Sequence, residues 1–534
     1  MPDLKQYLPS ANFLSNLDLW IVVFYAVSIF VLAQVVGRRK AGEEATSKGY
    51  FLANNQLPWW AIGASLIAAN ISAEQIVGMS GSGYKIGLAI ASYEWMAALT
   101  LIIVGKYFLP VFLKNGVMTM PGFLEQRFGA SVKYLMAVFW LILYVFVNLT
   151  SILWLGATAV ITVTGLEPFW VLTGLGIFAL LYQITGGLKA VAMTDIVQVV
   201  LLVLGGLIIS FLTLTKIGGS QDLTGFIAGF STLHDRFPDH FKMILNESSP
   251  HFKELPGLAV LLGGLWIMNI SYWGFNQYII QRALAAKDLP EAQKGIAFAA
   301  YLKLLMPLIV VVPGLAALIL APDLAKPDQA YPSMMTLLPT GLLGLVFVAL
   351  TFAVISSTAS KINSIATIFT LDVVAPLKRD IPDNKLVGVG QIAAVVSVII
   401  AIFTAEPLLG KWDQAFQYIQ NFTGYFTPGI VVIFALGMFW KRCSTAGALA
   451  TIVGGVAMSA AWSYIDPAYP FMNRVGWVFV ASTVLCVLVS LILPNKKEVS
   501  TLTLEGVSFK TSTAFNILAI GVVAILVVLY GIFW

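Results

Sequence analysis

Charge is scarce in this chain. Asp, Glu, Lys and Arg make up 11% of its 534 residues, against about 25% in an ordinary soluble domain. So little charge cannot cover a water-facing surface, and a soluble globular fold is excluded. Cysteine is scarcer: Cys443 and Cys486 both lie in or beside apolar segments, so no disulfide framework is implied. The three histidines, His234, His240 and His251, share one loop, which argues against a catalytic metal site. Paired aspartates and a Ser–His pair are also missing from the apolar segments, which leaves an intramembrane enzyme without support. The net charge of +5 is no nucleic-acid footprint, because the basic residues sit in short loops, the pattern of membrane topology.

What is present is apolar. Hydrophobic residues make up 59% of the chain, with 34 Phe and 14 Trp, and the mean hydropathy is +0.87. Runs near the roughly twenty residues that a bilayer-spanning helix needs recur along the whole length. Fourteen spans are predicted, at 18–37, 58–81, 86–114, 132–164, 166–187, 190–215, 257–281, 291–321, 341–377, 385–405, 411–440, 443–465, 473–494 and 513–533. The fold class is therefore all-α and polytopic. The first span follows a polar leader without a small-residue cleavage site and reads as a retained helix. Alternate loops are richer in Lys and Arg, beginning with Arg38, Arg39, Lys40 and Lys48 and ending with Lys496 and Lys497. The richer set belongs on the cytoplasmic side, which puts both termini outside.

The second span contains "AANISAEQIVG", residues 68–78, with Asn70, Ser72, Glu74 and Gln75 at its middle. Asn-Ile-Ser recurs at Asn269–Ser271 in span seven. Five spans separate the two, so they enter the membrane from opposite sides, as an inverted repeat of five helices requires. A three-residue match also arises by chance; the stronger support is that both helices are predicted to be polar-interrupted at their centres, the sequence pointer to a transport site. Unwound backbone in a bilayer needs a partner, and carbonyl oxygens suit a bare alkali cation.

Other polar groups lie at membrane depth: Glu94, Asp195, Lys303, Ser356, Ser357, Gln414, Gln417 and Gln420. A charge at mid-bilayer costs roughly 3 kcal/mol or more and defaults to a functional reading. The bland alternatives are a structural Glu94–Lys303 pair and a solvated or capping Asp195. For Ser356 and Ser357 the residues alone favour helix packing.

These stretches, with "ASYEWM" at 91–96, "GGLKAVAMTDIVQ" at 186–198, "YWGFNQYIIQRALAAKD" at 272–288, "VISSTAS" at 354–360 and "QAFQYIQNFTGYFTPG" at 414–429, resemble the sodium–solute symporter family, most closely its bacterial sodium/galactose branch. The resemblance covers essentially the whole chain. It implies a LeuT-like five-helix inverted repeat plus peripheral helices: 1–57 as a peripheral helix and cytoplasmic loop, 58–215 and 257–440 as the two repeats, 216–256 as an extracytoplasmic loop, and 441–534 as three further helices. It implies a sodium site from the carbonyls of Ala68, Ile71 and Ala353 and the hydroxyls of Ser356 and Ser357. A sugar site is implied at Gln75, Glu94, Asn269, Lys303 and Gln420, whose amides, carboxylate and ammonium match a ring of hydroxyls. Tyr272 resembles an inner gate, with Trp273 beside it, for which ordinary packing is the preferred reading. Met79, Tyr93 and Phe416 resemble an outer gate, and Asp195 an ion exit path.

Two departures are visible. Galactose-transporting members carry a sugar-contacting Ser where this chain has Ala97, a missing contact worth about 1 kcal/mol. A second sodium in some relatives uses two hydroxyls where this chain keeps Ser360 but has Ala359, so one sodium per sugar is expected. The implied activity is inward symport of sodium with a hexose, galactose or glucose, across a bacterial inner membrane. Partners are the sugar and the lipid bilayer, with no nucleic acid and no obligatory protein. Rivals are symport of an inositol, a sialic acid, a carboxylate or an amino acid, and, more remotely, a channel.

Overall fold

The computed structural model describes residues 13–37, 57–117, 119–377, 383–495 and 502–534. Regular structure among them is helical; the one extended feature is an isolated bridge between Leu57 and Ala286. In chain order the helices are α1 (Asn16–Gly37), α2 (Trp59–Asn70), α3 (Glu74–Ile86), α4 (Leu88–Lys114), α5 (Met120–Phe128), α6 (Ala130–Thr164), α7 (Pro168–Gly218) and α8 (Leu223–Arg236). There follow α9 (Leu258–Leu262), α10 (Gly264–Phe275), α11 (Gln277–Leu284), α12 (Leu289–Leu320), α13 (Ala330–Met335), α14 (Leu342–Leu377), α15 (Asp383–Leu409), α16 (Ala415–Phe439), α17 (Thr445–Ile465), α18 (Phe471–Ile492) and α19 (Thr513–Ile532). Each of the fourteen predicted spans falls on one or more of these.

Helix α12 forms the axis of the bundle, packed by α2, α3, α4 and α7. Small residues permit these close approaches. A Cβ on Gly63 of α2 would stand 2.7 Å from the Gly295 carbonyl of α12, and one on Gly314 of α12 would strike the Ser80 carbonyl of α3. Helix α14 packs on α1, α6, α7 and α15, while α16 packs on α10, α17 and α18. The outer helices turn apolar side chains such as Val453, Leu488 and Val527 outward.

The second span breaks where the sequence places its polar cluster. Helix α2 stops at Asn70, Ile71 is extended at φ −70° and ψ 92°, and α3 departs at 64°. Asn and Ser side chains compete with the helix for backbone groups. Here Ser72 Oγ accepts the Glu74 amide at 3.2 Å, and α3 begins as a wide π turn over Glu74–Gly78.

Three expectations need correction. Span seven is discontinuous, but not at Asn269–Ser271, which lie within α10; the breaks fall at Gly263 and at Asn276, extended at φ −87° and ψ 121°. Asn276 Oδ1 accepts the Tyr144 hydroxyl at 2.7 Å, and its backbone carbonyl accepts the amides that start α11. The loop expected at 187–190 is absent, since α7 is one helix from Pro168 to Gly218. Paired glycines without a proline weaken a helix by about 1 kcal/mol each and need not end it. Residues 216–256 are not only loop: α8 lies there, capped by Asp222, whose carboxylate accepts the Gly225 amide at 3.0 Å. The predicted basic loop at 38–48 and the side chain of Asp195 lie outside the described residues.

Candidate functional site

The break between α2 and α3 opens onto a chamber of about 60 Å³. All five expected sugar ligands line it, Gln75, Glu94, Asn269, Lys303 and Gln420. They come from α3, α4, α10, α12 and α16, so the chamber exists only where these helices converge. Tyr272, Trp273, Tyr93 and Phe416 line it as well. Met79 is fully buried and is not part of the lining.

Lys303 organises the chamber. It is 0% exposed, and its ammonium lies 2.5 Å from the Glu94 carboxylate. It also donates to Asn70 Oδ1 and stands 5.1 Å from the Trp273 ring centroid. Pro307, one turn on, has no amide to close on the Lys303 carbonyl. The pair foreseen for Glu94 and Lys303 is therefore real, but it faces a chamber instead of a sealed helix contact. Trp273, expected as ordinary packing, is 1% exposed and sits against the cation.

A chain of hydroxyls forms the floor. Asn70 Nδ2 donates to the Tyr272 hydroxyl at 3.0 Å, and the Tyr278 hydroxyl donates to the same oxygen at 2.7 Å. The inner-gate candidate is thus tied both to the break and to α11. On the opposite side Tyr93 and Phe416 meet edge to face, with centroids 5.1 Å apart. Just beyond, Asp328 in the loop before α13 accepts the Ala415 amide at 3.0 Å, next to Phe416. Burial pushes the Asp328 carboxyl up to about 7.

The chamber has polar capacity left over. Asn269 Nδ2 and the Tyr93 hydroxyl are buried without a partner among the described residues, as are Gln417 Oε1 and Nε2 nearby in sequence. Buried unsatisfied donors are rare and need a reason; a hydroxyl-bearing guest supplies one. The expected sodium ligands are all buried: Ala68, Ile71, Ala353, Ser356 and Ser357. Helix α2 packs against α14, which carries the last three. Past the break, among the described residues, no backbone amide returns to the carbonyls of Ala68, Ala69, Asn70 or Ile71. Main-chain oxygens and hydroxyls are the donor set for a hard monovalent cation.

The family model of the sodium:solute symporters matches residues 50–455. The chain belongs to that family. A sodium/glucose cotransporter of Vibrio parahaemolyticus is 47% identical over 98% of this chain and 99% of its own. A sodium/myo-inositol cotransporter 2 of Sus scrofa is 33% identical over 85% of this chain and 70% of its own. The structure of a Na+-coupled sialic acid symporter superposes with a TM-score of 0.76 at 19% identity, covering 91% of this chain and 99% of that one, which shows the fold. The chain is a multi-pass sodium-coupled solute symporter with the LeuT-like arrangement.

Sequence reasoning missed two residues here. Asn70 stood out as a polar interruption, but its role as acceptor for Lys303 depends on a partner 233 positions away. Lys361 in α14 is 2% exposed, and a lysine inside an apolar span was signal enough.

Proposed function

We propose that the solute is a hexose, galactose or glucose, carried inward with one sodium ion. One observation carries this reading: a chamber in which a carboxylate, an ammonium and four amides converge between aromatic faces, with buried donors still unpaired among the described residues. A hexose presents hydroxyls that both donate and accept around its rim and apolar C–H faces. The 47% identical sodium/glucose cotransporter supports the assignment. The cotransporters for myo-inositol, another ring of hydroxyls, favour a second reading with the same chemistry.

In the mechanism, sodium is cargo. Ala68, Ile71, Ala353, Ser356 and Ser357 hold it at the break, tying α2 to α14. This fixes Asn70 and Gln75, which face the sugar. Each ligand then tightens the other, by linkage. The inward sodium gradient supplies about 2.3 kcal/mol per 100 mV of potential, plus its concentration term. When sodium leaves, α2 loosens, Tyr272 loses its anchor at Asn70, and the sugar exits below. In this reading the repeats are 58–215 and 257–440, and both termini face outward. The apolar outer helices sit in lipid of a bacterial inner membrane, and the chain needs no protein partner and performs no enzymatic reaction. Asp195 lines the ion's way out.

Uptake of labelled galactose into proteoliposomes tests it. An imposed sodium gradient should drive accumulation, and potassium or proton gradients should not. Glucose should compete, with myo-inositol weaker. Strong competition by inositol and none by either hexose would move the assignment to the second reading.

A further inference from the structure

The helix that carries Ser356 and Ser357 also carries a buried lysine that this mechanism leaves unused. Lys361 Nζ lies 3.3 Å from the Tyr278 ring centroid and 5.6 Å from that of Tyr144. Among the described residues it has no hydrogen-bond acceptor. The charged groups acting on it are Glu74 of α3 and Arg282 of α11. Glu74 accepts the Ser151 hydroxyl at 2.5 Å, and Arg282 donates to Ser65 Oγ at 3.0 Å and to the Tyr278 carbonyl. Lys361 thus feels one carboxylate and one like charge. A buried ammonium resting on an aromatic face, with no oxygen to receive its protons, is costly and invites a function.

Its place on the helix suggests which. Residues four apart lie one above the other on a helix face, so Lys361 stands one turn, about 5.4 Å, beyond Ser357. In the orientation proposed above, that turn is the cytoplasmic one. We propose that Lys361 is a tethered cation that sets sodium affinity, repelling the ion held at the break and neutralising the Glu74 carboxylate that would otherwise hold it on the way out. This rests on the sodium site of the preceding section. Lys361 acts on the ion through space, held in place by the Tyr278 ring. It is a positioning residue, not a ligand.

The test measures half-saturating sodium at saturating sugar in proteoliposomes, and sodium binding to purified protein by tryptophan fluorescence. K361M should lower half-saturating sodium on the order of tenfold, as removing a like charge about one turn away requires, with half-saturating sugar at saturating sodium unchanged. K361R, which keeps the charge, should stay at the parent value. A purely structural lysine gives the opposite pattern, in which K361M melts earlier but binds sodium as the parent does, and that result overturns the proposal. If K361M does not fold, K361Q is read by the same criterion. S357A separates the two levels. Parent-like sodium affinity in S357A sinks the sodium site itself. Weakened sodium in S357A, with no tightening in K361M or K361Q, sinks only the role of Lys361.

Discussion

At the scale of the residue, the Glu94–Lys303 pair raises the question of whether two buried charges are there for the fold or for the guest. A buried pair is weak evidence for stability, because well-packed apolar residues often do as well, whereas removing one partner costs about 3–5 kcal/mol. K303A should therefore both melt early and lose sugar uptake, since Glu94 is left buried without its counter-charge. The double variant E94A/K303A should regain most of the lost stability and none of the transport. Thermal melts in detergent and sodium-driven uptake read the two effects apart. Parent-like uptake in the double variant would make the pair structural only. Glu94 and Lys303 were legible in the sequence because a charge within an apolar run stands out without knowledge of its neighbours. Their link through Asn70 to Tyr272 was not, because it joins positions more than 200 residues apart and depends on how three helices converge.

At the scale of the element, local sequence predicts where a helix is weak, and tertiary contacts decide where it breaks. Asn70-Ile71-Ser72 breaks its helix, and Asn269-Ile270-Ser271 does not, although the tripeptides are identical. Ser72 finds the Glu74 amide to cap, while in span seven Asn276 is the residue whose side chain is held from outside, by Tyr144. Helix ends show the same dependence. Asp18 opens α1, expected as a peripheral helix, yet it is 1% exposed and accepts the amides of Gly341 and Gly344 at 2.6 and 2.8 Å. It caps the start of α14, the helix that carries Ser356 and Ser357. Two charge-assisted hydrogen bonds at a helix N-terminus contribute about 2–4 kcal/mol. D18A should lower Tm accordingly, and D18N, which keeps an acceptor oxygen, should lose less. Equal loss in both would assign the effect to charge alone.

At the scale of the molecule, opening outward is expected to lift the loop that holds Asp328, which is bonded to the Ala415 amide beside the outer-gate candidate Phe416. Asp328 is wedged against Gly81 of α3, where a Cβ would stand 2.8 Å from the Asp328 backbone, while its Oδ2 accepts the Ala415 amide and its Oδ1 has no partner among the described residues. Burial is the main cause of its carboxyl rising to about 7 from an ordinary 3.8; Asp413 raises it further, and the Ala415 amide and Lys326 oppose the rise. Once the loop lifts into water, the group returns to its ordinary range. The lowered loop therefore binds this proton more tightly than the lifted one. Its contribution to closure is complete below about pH 3.8 and is lost as pH rises through about 7. Between pH 8 and pH 6 the closed state should gain about 1.4 kcal/mol, roughly a tenfold shift in population. External sugar should enter the outward-open state more slowly at pH 6 than at pH 8, at saturating sodium. D328N cannot titrate and keeps an oxygen for the Ala415 amide, so its uptake should be flat across that window. An unchanged pH profile in D328N would place the sensitive group elsewhere and leave Asp328 as a helix cap alone.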